Sequence, residues 1–206
     1  IAGASDLETG WIVEAAAAES AVARRIIVQA HEADLCVLGQ PDPRETDSGV
    51  PTDLIEQAVA HAGRPVLIVP YAGHFQGIGR RVVIAWNGSR EATRAVADAL
   101  PLMEHAEAVS VLSLQAKAGG KPASTAPLAG IVAHLARHGL PVAPDRLVFE
   151  ANAIEAAERL LSHLADAGAD LLVLGAAGRG RAAPGAKRSL TTGILARMTI
   201  PVLLSF

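Results

Sequence analysis

Short apolar runs alternate with amphipathic stretches along most of the chain, which predicts strands and helices in alternation. Residues 80–87 (RRVVIAWN) are rich in Val and Ile and end at an Asn-Gly pair, the pattern of a buried strand that runs into a turn. Ser89 then offers an N-cap, and small or apolar residues recur beyond it with helical spacing, which predicts a helix ending near Pro101. The same patterns predict strands at 109–114, 146–150, 170–175 and 201–206 and helices at 128–138, 153–167 and 189–198.

From residue 80 onward the predicted order is a series of five strands separated by helices, and the strands are almost continuously apolar. Parallel strands that are covered by helices on both faces have this character. With right-handed crossovers the segment forms a doubly wound α/β fold. We therefore expect a five-stranded parallel sheet with the strand order 3-2-1-4-5.

An internal repeat relates the two halves of the chain. Residues 33–39 (ADLCVLG) and 169–175 (ADLLVLG) are identical at six of seven positions, at an offset of 136 residues. The sequence PVL recurs at 65–67 and 201–203 with the same offset, so the segment between the two blocks has the same length in both copies. The first copy shows only rear elements, predicted as a strand near 11–13, a helix at 18–30, a strand at 35–39, a helix near 54–62 and a strand at 65–70.

The repeat predicts two domains of unequal completeness. Residues 1–72 are the rear half of a degenerate first domain, and residues 79–206 are a complete second domain. The counterparts of the first two strands and helices would lie ahead of residue 1. Either that half has been removed or the numbering starts after it, and the second explanation is favoured because a sheet without two central strands would expose long unpaired edges.

Composition narrows the class of protein. Half of the 206 residues are apolar and 3% are aromatic, which suits an aliphatic core and disfavours collagen-like and disordered chains. No uncharged apolar stretch approaches the roughly 18 residues that cross a bilayer. One cysteine and no signal peptide pattern favour a reducing compartment, and we expect a cytoplasmic protein. A net charge of −3 and few aromatic rings disfavour general nucleic-acid binding.

The loop 175–189 has the chemistry of a phosphate site. It carries four glycines and four basic residues and leads into a predicted helix N-terminus, so free N–H groups and cations could surround an anion. Its fit to the P-loop is off by one inserted residue, and its fit to the dinucleotide fingerprint is loose. A dinucleotide-dependent oxidoreductase is disfavoured because no acidic residue follows at the required distance. The alternative interpretation is that residues 175–189 form a solvated surface loop and not a phosphate site.

The spacing Gly175-x2-Gly178-x9-Arg188-Ser189 resembles the nucleotide signature of the universal stress protein (UspA-like) family, Gly-x2-Gly-x9-Gly-Ser/Thr. The predicted strand order, the final Pro-Val-Leu-Leu strand and the repeat are similar to the tandem two-domain members, so the resemblance covers essentially the whole chain. It implies that the chain binds ATP or another adenine nucleotide, with Mg²⁺ as a possible companion, although some members bind none. It also implies pairing through the last strand, as a pseudo-dimer of the two copies or a homodimer.

The resemblance implies roles for particular residues. Two residues at the end of the first strand would face the adenine and ribose, two glycines would admit the ribose and phosphates, and the start of the last helix would supply N–H and hydroxyl donors. These residues are, in that order, Ala85 and Asn87, Gly175 and Gly178, and Ser189, Leu190 and Thr191.

Two departures from the family pattern bear on that site. The family's usual Asp is Asn87 here, which removes a carboxylate that could hold a divalent cation. The glycine before Ser189 is Arg188, which either fills the phosphate space or pairs with a phosphate. With no general base or metal carboxylate evident beside the loop, any ATPase activity is expected to be slow or absent.

The matching stretch of the first copy predicts no nucleotide site. Asp42 stands where the second glycine should be, Pro41 and Pro43 lack N–H groups, and Thr52-Asp53 replaces the phosphate-facing pair.

Three other residues or pairs invite chemical interpretations. His134 and His138 share a helix face, where a solvated surface is favoured over a metal site because no third ligand is evident. Cys36 is expected to be a buried small apolar residue. Trp86 could pack on an adenine or belong to the core.

Two functions therefore remain in competition. The first is a stress-response regulator or sensor that binds an adenine nucleotide in its C-terminal domain. The second is a nucleotide-free tandem scaffold that acts through contacts with unidentified protein partners. Asn87 and Arg188 favour the second, whereas Gly175, Gly178 and Ser189 favour the first.

Overall fold

The structure is a computed structural model that describes residues 8–11, 19–42, 44, 53–118, 121–122, 127–150, 153–176 and 190–206. Within these residues eight strands form one sheet, with the order β1-β2-β8-β7-β3-β4-β5 and with β6 paired to β4. Among the described residues, no helix is long and apolar enough to span a membrane. The chain has an α/β fold, and all of the described strands join a single, mostly parallel sheet.

The second copy of the repeat supplies five parallel strands, in the spatial order β6-β4-β3-β7-β8. Helices connect consecutive members, and the crossover after β3 runs in the opposite direction to the crossover after β7. The elements are β3 (Arg81–Trp86), α3 (Arg90–Ala99), a 3₁₀ turn (Leu100–Met103), β4 (Ala108–Ala118), β5 (Lys121–Pro122), α4 (Ala129–Arg137), β6 (Val142–Glu150), α5 (Ala153–Asp166), β7 (Leu171–Gly175), α6 (Leu190–Leu195) and β8 (Val202–Ser205).

The first copy supplies α1 (Glu19–Ala30), β1 (Cys36–Gly39), α2 (Leu54–His61) and β2 (Val66–Val69). Strand β2 lies 136 residues before β8, and α2 begins the same distance before α6. The repeat seen in the sequence is therefore also a repeat of secondary structure.

The last strands of the two copies, β2 and β8, pair with each other and run antiparallel. Leu67 lies opposite Leu203, its own counterpart in the repeat. On either side, Val66 pairs with Leu204, the counterpart of Ile68, and Ile68 pairs with Val202, the counterpart of Val66. This register is that of a local two-fold axis between β2 and β8, the relation found at isologous interfaces.

Two apolar clusters lie on opposite faces of the sheet. One contains α3 and α4 residues such as Val96 and Leu135 with Ile84 and Val173 from the strands. The other contains residues of α1, α2, α5 and α6 packed on the alternate strand positions. Burial of both strand faces explains why the strands are apolar at nearly every position.

The structure differs from the sequence predictions mainly at β4 and β6. Strand β4 continues to Ala118, and β6 begins at Val142, because the two strands pair along nine registered positions. Polar residues such as Gln115 alternate with apolar ones in this stretch, which is itself a strand pattern, although the strand expected from the sequence stopped at Leu114. Trp11 lies outside any strand and is 93% exposed, and the rest of the strand predicted at 11–13 lies outside the described residues.

Candidate functional site

The predicted site lies at the carboxyl ends of β3 and β7, which are adjacent parallel strands. Helix α3, which follows β3, packs on one face of the sheet, and α6, which follows β7, packs on the other. A crevice opens between two such strands because their connections leave in opposite directions, and doubly wound proteins bind ligands there.

The turn after β3 is built by its own side chains. The Asn87 Oδ1 atom accepts a hydrogen bond from the Ser89 N–H at 3.0 Å, and Gly88 supplies the positive φ of +72° that the turn requires. Ser89 Oγ then accepts a hydrogen bond from the Ala92 N–H at 3.1 Å, which confirms Ser89 as the N-cap of α3. The Asn87 carboxamide oxygen is thus engaged locally, and within the described residues no hydrogen bond uses its NH₂ group.

Gly175 ends β7 directly against the first turn of α3. A Cβ atom at this position would lie 2.3 Å from the Ala92 nitrogen and 2.5 Å from the Glu91 carbonyl carbon, so no larger residue fits. The glycine lets the end of β7 and the start of α3 touch. It thereby brings two parts of the predicted site together, the turn at Asn87 and the start of the glycine-rich loop.

Three further predicted residues lie in the described part of the chain, Ala85 on β3 and Leu190 and Thr191 at the start of α6. Leu190 and Thr191 begin α6, and Leu190 packs against the same apolar cluster as Ala85 and Ala176. Ala85 is itself buried, so only its backbone can meet a ligand. Gly178, Arg188 and Ser189 lie outside the described residues.

A row of polar side chains at this edge of the sheet was missed by the sequence reasoning. Trp86 and Ser113 are registered neighbours on β3 and β4, and Ser205 is the neighbour of Gly175 on β8. Trp86 Nε1, Ser113 Oγ and Ser205 Oγ are buried and have no hydrogen-bond partner within the described part of the chain. The signal available in the sequence was a serine within each of two largely apolar strands, Ser113 in the middle of β4 and Ser205 at the end of β8.

Trp86 packs, half-buried, against the α3–α4 cluster. Its indole therefore belongs at least partly to the core.

The charges beside the crevice come from the first turn of α3. Glu91 is 5% exposed, and its Oε1 lies 3.7 Å from the Arg90 guanidinium, which in turn lies over the Phe206 ring. The described residues contain no group of three or more His, Cys, Asp or Glu side chains that could hold a metal ion. The described half of the site therefore offers amide and hydroxyl groups to a ligand, without a carboxylate cluster for a divalent cation.

The corresponding position of the first copy is acidic. Arg44 Nε and Nη2 donate to the two oxygens of Asp42 at 3.1 and 3.0 Å. These hydrogen bonds lower the pKa of the Asp42 carboxyl, so it stays ionised where the second copy has Gly178. An ionised carboxylate there would repel a phosphate.

The other chemically suggestive residues have structural explanations. The His134 and His138 rings meet edge to face at 4.9 Å on α4. Cys36 is 9% exposed in the apolar cluster, as expected for a small apolar residue, and burial raises the pKa of its thiol.

Two cavities lined by described residues do not include the Asn87 turn. The larger, about 670 Å³, is lined by α4 and β6 residues such as Leu128, Val132 and Arg146. The smaller, about 180 Å³, lies between α5 and α6 and includes Thr192.

No protein-family model matches the sequence. No curated protein matches it significantly either.

Solved structures are similar in fold. A universal stress protein from Archaeoglobus fulgidus superposes with a TM-score of 0.65 and 17% identity, covering 89% of this chain and 64% of that protein. A Pseudomonas aeruginosa protein named as a universal stress protein gives a TM-score of 0.52 and 16% identity, covering 87% of this chain and 66% of that protein.

At these identities the likeness establishes the fold alone. The chain has the universal stress protein fold and spans about two thirds of the length of these two proteins.

Proposed function

We propose that this chain is a tandem universal stress protein whose complete second domain, residues 79–206, binds ATP or another adenine nucleotide, while residues 1–72 form the rear half of a degenerate first domain. In this proposal the protein is a stress-response sensor or regulator, and nucleotide occupancy changes the surface that it offers to protein partners. The cytoplasmic location stays a prediction from the sequence.

The observation that carries the proposal is the switch point between β3 and β7. Adjacent parallel strands whose helices leave to opposite faces create a crevice at their carboxyl ends. The two described walls of that crevice, the Asn87 turn and the start of α6, are the walls that the sequence resemblance assigns to the base and ribose and to the phosphates.

Different residues would contact different parts of the nucleotide. The Asn87 NH₂ group can donate to a ribose or ring acceptor while its oxygen holds the turn. The Thr191 hydroxyl, half-buried at the start of α6, can donate to a phosphate oxygen. Gly178, Arg188 and Ser189 would complete the phosphate side on sequence grounds.

We expect ATP hydrolysis by this site to be slow at most. Phosphoryl transfer needs a positioned water or base and a cation held by carboxylates. The Asn87 side chain cannot supply that charge, and Glu91, in the first turn of α3, is buried beside Arg90. Binding without rapid turnover suits a sensor.

Two specific observations favour the alternative, a nucleotide-free scaffold. Asn87 Oδ1 is already used by the turn, and Gly175 is explained by the contact with α3. Both residues therefore have structural reasons that do not involve a ligand.

Calorimetric titration with ATP distinguishes the two functions. We expect binding by the wild-type chain, a roughly five- to tenfold weaker affinity for Thr191→Val because one hydrogen bond is lost, and no binding by Gly178→Asp. The matched control is Thr199→Val, an exposed threonine outside the crevice, which should bind like the wild type.

Two results would count against nucleotide binding. No heat with the folded wild-type chain favours the scaffold. Equal weakening by Thr191→Val and Thr199→Val would mean that the ligand does not contact the start of α6.

A further inference from the structure

Two histidine rings lie against each other at the end of α4. His134 is in the last turn of the helix and His138 is its C-cap, so the two residues are four positions apart and share one face. Their ring centres are 4.9 Å apart, and the ring planes meet at 69°. His138 is exposed and His134 is half-buried. A dissolved ion can therefore reach the pair.

The separation of the rings matches that of two imidazoles bound to one metal ion. A His nitrogen binds an ion such as Zn²⁺ at about 2.0–2.1 Å, which places the ring centre about 3.2 Å from the ion. Two rings that bind the ion at an angle of about 90–110° then have centres about 4.5–5.2 Å apart. The observed 4.9 Å lies in this range, so the backbone already holds the two rings at a chelating separation.

The backbone that carries His138 is fixed by the motif that ends the helix. Gly139 has a φ of +77°, and its N–H donates to the Ala136 carbonyl at 3.0 Å, while the Leu140 N–H donates to the Leu135 carbonyl at 3.4 Å. Leu135 and Leu140 are both buried in the α3–α4 cluster. Because the helix end is held in this way, an ion would meet two ligands that are already arranged.

The pair would supply two ligands to a metal ion and leave its other positions to water. Within the described part of the chain, no group of three or more His, Cys, Asp or Glu side chains could hold a metal. Gly130, one turn before His134, adds no side chain to the same face. Imidazole suits late first-row ions, with Cu²⁺ first in the order of affinity, whereas Mg²⁺ and Ca²⁺ prefer oxygen ligands.

We propose that His134 and His138 form a two-histidine site that chelates one divalent late transition-metal ion, with Cu²⁺ bound most tightly. The bound ion joins two residues one helical turn apart and so stabilises the end of α4. Helix α4 connects the parallel strands β4 and β6, so it ends at the edge of the sheet opposite the crevice at Asn87. The site is therefore separate from the proposed nucleotide site and does not depend on it.

A contact between the two rings without a metal is the competing explanation of the same arrangement. Edge-to-face pairs of rings have centres about 4.5–7 Å apart, a range that includes the observed distance. The two explanations differ in what they predict for affinity. A ring contact gives no more metal affinity than a single exposed histidine does, whereas chelation gives tighter binding that needs both rings.

Calorimetric titration of the full chain with CuCl₂ separates the two explanations. We expect one Cu²⁺ ion per chain at this site. His134→Ala and His138→Ala should each weaken its binding by about tenfold or more, because the second imidazole no longer binds within the same molecule. The matched control is His105→Ala, which removes an exposed histidine outside α4 and should bind Cu²⁺ like the wild type. Alanine favours helix, so the variants should fold, which circular dichroism checks.

A register variant tests the geometry at a constant number of histidines. Ala133→His combined with His134→Ala keeps all seven histidines but places the two rings five positions apart, on different sides of the helix. It should bind Cu²⁺ as weakly as His134→Ala does. Electron paramagnetic resonance should show splitting from two imidazole nitrogens in the wild type and from one in the register variant. Zn²⁺, which has no redox chemistry, should raise the urea midpoint of the wild type alone.

The proposal is overturned if the wild type binds Cu²⁺ no more tightly than His134→Ala does, or if the register variant binds it as tightly as the wild type. It is also overturned if a single Cu²⁺ site persists unchanged in both alanine variants, because other groups would then hold the ion. ATP titration of His134→Ala should match that of the wild type, so failure of this site and failure of nucleotide binding are distinguishable.

Discussion

Gly175 and Gly39 are the same residue of the repeat in different surroundings. The backbone of α3 lies within 2.3 Å of a Cβ built on Gly175, whereas Gly39 faces open space. At one position glycine is required by a close approach of two backbones. At the other, nothing in the described structure requires it.

This pair gives a matched prediction for stability. Gly175→Ala should lower the free energy of unfolding by about 2 kcal/mol or more, because the methyl group forces α3 away from β7. Gly39→Ala should change it by less than about 0.5 kcal/mol. Urea denaturation followed by circular dichroism measures both, and equal effects would mean that α3 does not approach β7 as described.

At the scale of elements, Gln40 joins the end of β1 to the end of α6. Its Nε2 donates to the Leu195 carbonyl at 2.7 Å, and its Oε1 accepts from the Tyr71 N–H at 3.3 Å. The last carbonyls of a helix have no partner inside the helix, so a buried side-chain donor there stabilises the helix end. Gln40 therefore connects an element of the first copy with an element of the second.

Gln40→Leu should lower the free energy of unfolding by about 1–3 kcal/mol, because it leaves a carbonyl and an N–H without their partner in a partly buried place. Gln29→Leu is the matched control, since Gln29 is exposed on α1. Urea denaturation of the two variants checks the difference. Similar values for both would show that the contact with Leu195 contributes nothing.

At the scale of the whole molecule, the two copies share one sheet but are unequally covered. In the described structure β7 is paired on both sides and buried on both faces, whereas β1 is paired on one side and exposes Val37. Segments with fewer buried contacts open at lower free energy than the core does. The first copy should therefore open before the second.

Cys36 and Trp86 report on the two copies separately. The Cys36 thiol should react with a disulfide reagent at urea concentrations below the midpoint of the tryptophan fluorescence change, which reports mainly Trp86 because Trp11 is already 93% exposed. Coincident transitions would mean that the two copies unfold as one unit.

The pH dependence of the thiol has a defined sign. Burial raises the pKa of Cys36 above its ordinary value of 9.0, so the folded protein holds this proton more strongly than the unfolded chain does. The stability associated with the thiol is present below pH 9.0 and decreases as the pH rises above it.

The sequence determined the element types because hydrophobic periodicity and turn residues are local signals. The Asn87 turn, the Ser89 cap and the 136-residue repeat could all be recognised without a structure. The strand expected at 109–114 stopped short of Ala118, where β4 ends, because the extension pairs with β6 and pairing partners are distant in the sequence.

Only the tertiary structure decided what each copy of the repeated motif contacts. The six identical residues predict the same strand twice, but burial depends on which elements lie across it. Strand β3 and helix α3 contact Asp170, Val173 and Gly175. Within the described residues no such elements cover their counterparts Asp34, Val37 and Gly39. The same local sequence is therefore covered by β3 and α3 in one copy and exposed in the other. Contacts between residues far apart in the sequence cannot be read from either segment alone.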